Sequence, residues 1–575
     1  MMTATPSTVK FADFPYTRPD MARIGSEFQT AMVRFREADS VDSAEEAMQG
    51  VYKVRNDFET MREIGSIRHT IDTRDTFYET EQSFYDQEEP KFMGLVHGFY
   101  SDLLAHTYRA ELEARIGRQL FAMAELVIKT YAPEIVADLQ KENELTTAYR
   151  KIKASASIEF EGKERTLTGM MAFMRNKDRD IRRSASEAYW AFMGSKQDEL
   201  DKLYDQLVQL RHGIALKLGY PNYVQLGYDR LGRTDYGPDE VARFRQQVLD
   251  DVVPMVTELR QRQAERLGLD SLKNYDKELF FRSGNPEPQG DPDWIIEQGT
   301  AMYNELSPET GEFMKFMLDA ELMDLVTKPG KASGGYCTFI HNHQAPFIFS
   351  NFNGTAMDIF VLTHEAGHAF QVFRSRDYKW NEYNWPTLEA CEIHSMSMEF
   401  FTWPWMDRFF GEAADKFRFM HLAKALQFLP YGVAVDEFQQ HVYEHPLEGP
   451  DARAEAWKRI EIKYMPHTDY DGNAYLESGR MWQAQGHIYE SPFYYIDYTL
   501  AQICAFQFWN KAEQDRASAL ADYVRLCDAG GSRGFLDLVD YSGLQSPFEP
   551  GTVADVLKDL KTWFAKVDDR ALETA

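Results

Sequence analysis

Residues 360–373 read FVLTHEAGHAFQVF. Phe360, Val361, Leu362, Ala366, Ala369, Phe370, Val372 and Phe373 make a helix over this run apolar nearly all round, and such a helix is buried. Burial constrains its polar members. His364 and His368 are four residues apart and share one helix face. Two buried imidazoles need partners, and two on one face can offer nitrogens to a single metal ion, as in zinc helices of the H-E-x-x-H type. Glu365 stands one step round, placed to act on water rather than to ligate. Gly367 sits mid-helix at a cost of roughly 1 kcal/mol relative to Ala, which predicts that something packs closely against its backbone.

A hydrolytic zinc site wants three protein ligands and one open position. Downstream donors are Glu382, Glu389, Glu392, His394 and Glu399. A third histidine at position 374 is excluded, because Arg374 stands there. WPTLEACEIHSMSMEFFTW reads as the next helix, with Pro386 near its start. Glu389, Glu392 and Glu399 fall nearly on one face of it. Carboxylates on an otherwise apolar helix are costly unless they face a cation or a polar network, and one ligand with supporting neighbours meets that need. Spacing alone leaves Glu389 and Glu392 both available as the ligand. The inverted match HVYEH at 441–445 is set aside: Pro446 ends its helix, and the helix dipole favours a histidine there without a metal. His341 and His343 of HNH lie between two predicted strands and read as a turn with solvent-exposed histidines.

Most of the 575-residue chain carries helical periodicity, as in MARIGSEFQTAMVRFREA and GPDEVARFRQQVLDDVVPMVTELRQRQAERLG, where Pro254 predicts a kink. Glu161-Gly162, between alternating residues, predicts a hairpin. After residue 325 glycines and alternation predict two short strands, at 335–340 and 346–352. The expected fold is mainly α: an N-terminal helical lobe over 1–200 and a catalytic lobe over 201–575 with a small sheet beside the motif helix.

The net charge of −28 argues against a nucleic-acid partner, which needs a concentrated basic surface. No window approaches a membrane span. The opening MMTATPSTVKFADFPYTRPD lacks the apolar core of a signal peptide. Cys337, Cys391, Cys504 and Cys527 are too few and too scattered for a disulfide framework, and Cys391 reads as a buried thiol. The cytoplasm is the expected compartment.

HEAGHAF, followed by a helix with Glu392 and Glu399 seven apart, resembles the M3 metallopeptidases, in particular the oligoendopeptidase F branch that includes the Pz-peptidases. GKASGGYC, PFIFSNFNGT, HIYESPFYYIDY and LGYPNYVQLGYDRLGRTDYGPDEVARFRQQV resemble segments of that family, over roughly residues 150–570. The resemblance implies a two-lobed helical fold with a deep substrate channel, one Zn2+ per chain, and an endopeptidase acting on short unfolded peptides. It implies Glu392 as the third ligand, with Glu399 and Glu389 behind the ligands and Glu365 as general base. It implies that His487, Tyr495 and Tyr498 line the wall opposite the metal, Tyr498 stabilising the oxyanion. The spacing after His487 departs from that of thimet-type relatives, which keeps Tyr489 and Tyr494 in view. Strand addition to residues 346–352 is the expected mode of substrate binding, with Gly334, Gly335, Tyr336, Phe347, Phe349 and Asn351 as contacts. Two other readings compete: a metallocarboxypeptidase, which would need a cationic group for the free C-terminal carboxylate, and a peptide-binding protein without catalysis.

Overall fold

The computed structural model describes residues 9–574; the first eight, part of the stretch read for a leader, lie outside the described residues. The chain forms two compact units, each assembled from separated segments. One takes the chain up to Lys129, Glu287–Gly411 and Ala505–Leu544; the other takes Thr130–Pro286, Glu412–Cys504 and the chain from Gln545 on. Each unit draws on both sides of residue 200, so this partition differs from a cut of the sequence there.

In the first unit, Met21–Arg36, Val41–Ile71 and Thr76–Ala105 form a three-helix bundle. Ser40 opens the second helix with a capping box to Ser43. Phe28, Phe35, Phe58, Phe92 and Phe99 recur at helical spacing and fill the bundle core. The second helix packs on a three-stranded sheet because Thr338 donates to Glu63 and the Asn342 amide donates to Thr60.

Five strands are present among the described residues. β1 (Ile158–Phe160) and β2 (Lys163–Arg165) form the expected hairpin in the second unit. Glu161 and Gly162 both have positive φ, as a tight hairpin turn requires. In the first unit β3 (Met323–Val326), β4 (Tyr336–Ile340) and β5 (Ala345–Phe352) make one sheet in the order β3-β5-β4. β5 runs parallel to β3 and antiparallel to β4. Sequence reading finds β4 and β5 but not β3.

β5 is therefore central and hydrogen-bonded on both edges. It has no free edge to accept a substrate strand, which overturns the expectation of strand addition to residues 346–352. Phe347 and Phe349 are core residues, each 1% exposed. Phe347 packs on Phe11, and Phe349 stacks on Tyr336.

The HNH run is a 3-10 turn, as expected, but its histidines are not solvent-exposed. His343 stacks on Phe14 with ring centroids 3.7 Å apart, and His341 pairs with Glu59 at 3.2 Å. In the second unit a π-helical turn, Val248–Val252, precedes the helix Val253–Leu267. The backbone stays helical from Pro238 through Leu267, so Pro254 stands inside one continuous helix, and the π-turn just before it is where the helix is distorted. All four cysteines are free. No helix among the described residues is long and apolar enough to cross a membrane.

Candidate metal centre

The motif helix, Ala356–Ser375, lies against β5 and the carboxylate helix, Leu388–Phe401. Asp358 fixes its start: one carboxylate oxygen accepts from the backbone amides of Asn353, Gly354 and Thr355. The two helices meet at Gly367. A methyl group there would stand 2.6 Å from Ser395 Cα and 2.7 Å from the His394 carbonyl oxygen. Only glycine permits this approach, and the approach brings Glu392 to the histidines.

His364, His368 and Glu392 each offer one donor atom, and the three atoms lie within 4.8 Å of one another. His364 Nε2 is 3.3 Å and His368 Nε2 3.7 Å from Glu392 Oε2. Glu399 Oε1 lies 2.8 Å from His364 Nδ1. It leaves Nε2 as the donor facing the other two residues, the carboxylate–histidine arrangement common behind metal ligands. Ser395 Oγ donates to Glu392 Oε2 at 3.0 Å. Two imidazoles and one carboxylate, closely grouped with one histidine held from behind, fit a divalent ion such as zinc. Glu389 is buried one turn earlier and stands outside this donor group.

Electrostatics follow from burial and proximity. Burial lowers the His364 pKa, but its hydrogen bonds to the carboxylates of Glu392 and Glu399 outweigh burial and raise it. Burial holds His368 down at about 4. Glu365, outside the donor group, is raised to about 7, first by burial; His364 opposes the rise while Glu392 and Glu399 add to it. A carboxyl with that poise can accept and release a proton near neutrality. Gly335, at the head of edge strand β4, comes close to it: a methyl group at Gly335 would lie 3.7 Å from Glu365 Oε1. Asn351 ties the preceding loop in place by donating to the carbonyls of Ala332 and Gly334. Tyr336 bonds Thr70 at 2.7 Å.

The second unit gathers the C-terminal aromatic residues. The His487 ring lies 5.6, 5.0 and 5.8 Å from the rings of Tyr494, Tyr495 and Tyr498. Tyr489 is instead a core residue, stacked on Tyr149 at 4.1 Å. Sequence reasoning missed what orders this cluster. Tyr431 donates to Gln485 Oε1 at 3.0 Å, and Gln485 Nε2 reaches His487 Nδ1 at 2.7 Å. With Nδ1 accepting, a neutral His487 carries its proton on Nε2. Phe428 packs edge-on against Tyr495 and Tyr498. Phe493, just before the tyrosines, is buried with φ 66°; Gln439 accepts from its amide and Arg233 donates to its carbonyl. Pro492 in the quoted segment pointed to a loop at that place, but not to its partners.

Fold and site together define a mainly helical metallopeptidase. The sequence profile of the peptidase M3 N-terminal domain matches residues 11–131, and that of peptidase family M3 matches residues 172–287 and 312–554. The chain belongs to peptidase family M3. The oligoendopeptidase F homolog of Borreliella burgdorferi is 22% identical over 391 residues, covering 65% of this chain and 63% of that protein. Oligopeptidase PepF of Bacillus subtilis is 19% identical over 406 residues, covering 67% of this chain and 57% of that protein. The matched region thus spans less than two thirds of either relative. A crystal structure of Pz-peptidase A with an inhibitor superposes with a TM-score of 0.93 at 56% identity, covering 97% of this chain and all of that one. The oligoendopeptidase F of Enterococcus faecium, 13% identical with a TM-score of 0.65, shares the fold.

Proposed function

We propose that this protein is a zinc-dependent oligoendopeptidase that hydrolyses internal bonds of short, unfolded peptides. The observation that carries this reading is the His364–His368–Glu392 donor group, its donor atoms within 4.8 Å of one another, with Glu365 and the backbone of Gly335 close by. His364, His368 and Glu392 would hold zinc, which when bound would supply Lewis-acid polarisation to a carbonyl and a water. Glu365 takes a proton from that water as it attacks and passes it to the leaving amine. Glu399 keeps His364 in the ligating orientation.

The extended substrate binds beside β4, an edge strand, with Gly334, Gly335 and Tyr336 as the contacts. Phe347 and Phe349 support that strand from the core, and Asn351 holds the loop before it. Tyr498, with Tyr495 and His487 beside it, donates to the developing oxyanion. Names of relatives such as oligopeptidase PepF support short peptides as the substrate class, and the cytoplasm is the proposed compartment. Mass-spectrometric mapping of cuts in a mixed peptide pool, with and without a chelator, tests the whole reading. Internal cuts that vanish with the chelator support it, and trimming from one end would overturn it.

A further inference from the structure

A protein of net charge −28 has carboxylates to spare, yet one recess of the second unit holds cations in excess. Arg175, Arg260, Lys277 and Lys424 gather round Glu278. Lys424 Nζ lies 3.3 Å and Arg175 Nε 3.9 Å from Glu278 Oε2. Arg260 and Lys277 have no acidic group within salt-bridge reach. Arg260 Nη1 donates to the Lys277 carbonyl at 2.9 Å and to Gln263 at 3.0 Å, while its Nε is buried without a partner. The Lys277 ammonium donates only to the Thr468 hydroxyl, at 3.0 Å. Glu461, bonded to the neutral Tyr470 hydroxyl, acts on Lys277 as a counter-charge without touching it, and Asp469 is paired with Lys273.

Water reaches the cluster: Glu278 keeps 43% of its side-chain surface, Arg175 34% and Lys424 28%. The charges nonetheless act strongly on one another. Burial and the neighbouring Arg260 hold the Lys277 ammonium down at about 8, and burial holds Arg260 at about 10. Lys424 foremost, with Arg175 and Arg260, holds Glu278 down at about 2. Burial, with Lys277 and Arg260, holds His467 at about 3. Four cations against the two carboxylates of Glu278 and Glu461 leave an excess of positive charge that suits an anion.

Its place on the helix Ala414–Glu444 says which anion. Lys424, Phe428 and Tyr431 follow one another at helical spacing on one face. Phe428 packs on Tyr495 and Tyr498, and Tyr431 on Tyr495. Four residues of helix rise about 6 Å, roughly two residues of an extended peptide. A cationic recess thus lies within a few peptide residues of the tyrosine cluster. We propose that Arg175, Arg260, Lys277 and Lys424 form a binding site for the C-terminal carboxylate of the peptide substrate. This rests on the oligoendopeptidase reading and deepens it: the enzyme holds the free end of a short chain while cutting at an internal bond, so a chain continuing beyond that point loses the contact.

The test uses full-length, zinc-loaded Glu365→Gln protein, titrated calorimetrically with one short peptide as the free acid and as the C-terminal amide. The free acid is expected to bind roughly ten-fold or more tightly, the worth of charge-assisted hydrogen bonds to one carboxylate. Lys277→Met added to this protein should bring acid and amide to parity with little change in the thermal midpoint, since the Lys277 ammonium bonds a hydroxyl rather than a carboxylate. Arg175→Met, at a side chain open to water, gives an independent arm and should narrow the same gap. Equal binding of acid and amide by the Glu365→Gln protein would overturn the site while leaving the peptidase reading intact. Binding of neither form would overturn that reading itself.

Discussion

Gly367 and Ser395 touch backbone to backbone, and this contact sets the spacing of the metal donors. A Cβ at 367 would stand 2.6 Å from Ser395 Cα, closer than two carbons can pack. Gly367→Ala must therefore push the carboxylate helix outward, at about 1–3 kcal/mol for overpacking. The helix moves with Glu392, so zinc affinity should fall along with stability. Zinc stoichiometry and thermal unfolding measured together check this; full zinc occupancy in Gly367→Ala would show that the contact does not set the site.

Glu365→Gln separates proton transfer from metal binding. The amide fits the same space but cannot accept a proton. The variant should keep one zinc per chain and lose roughly 100- to 10,000-fold in kcat. Peptidase activity retained at the wild-type level would remove Glu365 from the mechanism.

The proposed site gives Glu392 and Glu399 different duties. Glu392→Gln should strip the metal, whereas Glu399→Gln should weaken it about 10- to 100-fold by freeing His364 to rotate. Competition against a chelator of known affinity gives both values. If Glu392→Gln holds zinc normally, the buried Glu389 becomes the candidate ligand.

Tyr498→Phe removes a hydroxyl and little else. If that hydroxyl meets the oxyanion, kcat should fall by about 100-fold with KM nearly unchanged. A change confined to KM would make Tyr498 a substrate-binding group only.

Glu382 gives stability a defined acid limb. Burial alone would raise its pKa, but Arg55 and the hydroxyls of Tyr100 and Tyr52 hold it below the ordinary 4.5. A depressed carboxyl binds fewer protons folded than unfolded, so its contribution is complete above about pH 4.5 and is lost as pH falls through the folded value. Glu382→Gln should cost about 3–5 kcal/mol at neutral pH, and the gap to wild type should close in acid. Thermal midpoints of both proteins across that range check it; a gap constant with pH would contradict the assignment.

The metal site was legible because its chemistry is local. His364, Glu365 and His368 lie within one turn and a half of helix, and Gly367 announced a close neighbour. Glu392 was narrowed rather than chosen: helical spacing gives a face, and the choice over Glu389 depends on where a second helix meets the first. β5 shows the opposite case. Its alternation predicted a strand, but whether a strand is central or an edge depends on partners elsewhere in the chain, here β3 and β4. The cations around Glu278 come from four distant segments, and no window of sequence contains them. Tyr489 and Tyr494 differ by a few positions in one motif, yet one is core and the other faces His487, because the short helix holding Tyr489 ends at Glu490 and the chain turns at Phe493, with φ 66°, before Tyr494.

The interleaving of the first unit has a consequence in time. The helix Arg516–Ala529 packs on the motif helix, and Tyr523 bonds the His394 carbonyl at 2.9 Å. During synthesis, 131 residues separate the emergence of Glu392 from that of Tyr523, on the order of ten seconds at ribosomal speed. For that interval the donors exist without the wall behind them. When Glu392 emerges, nearly a third of the protein is still to be made, and the nascent chain must carry two apolar, histidine-bearing helices without their packing partner, which makes this stretch a natural client for a chaperone.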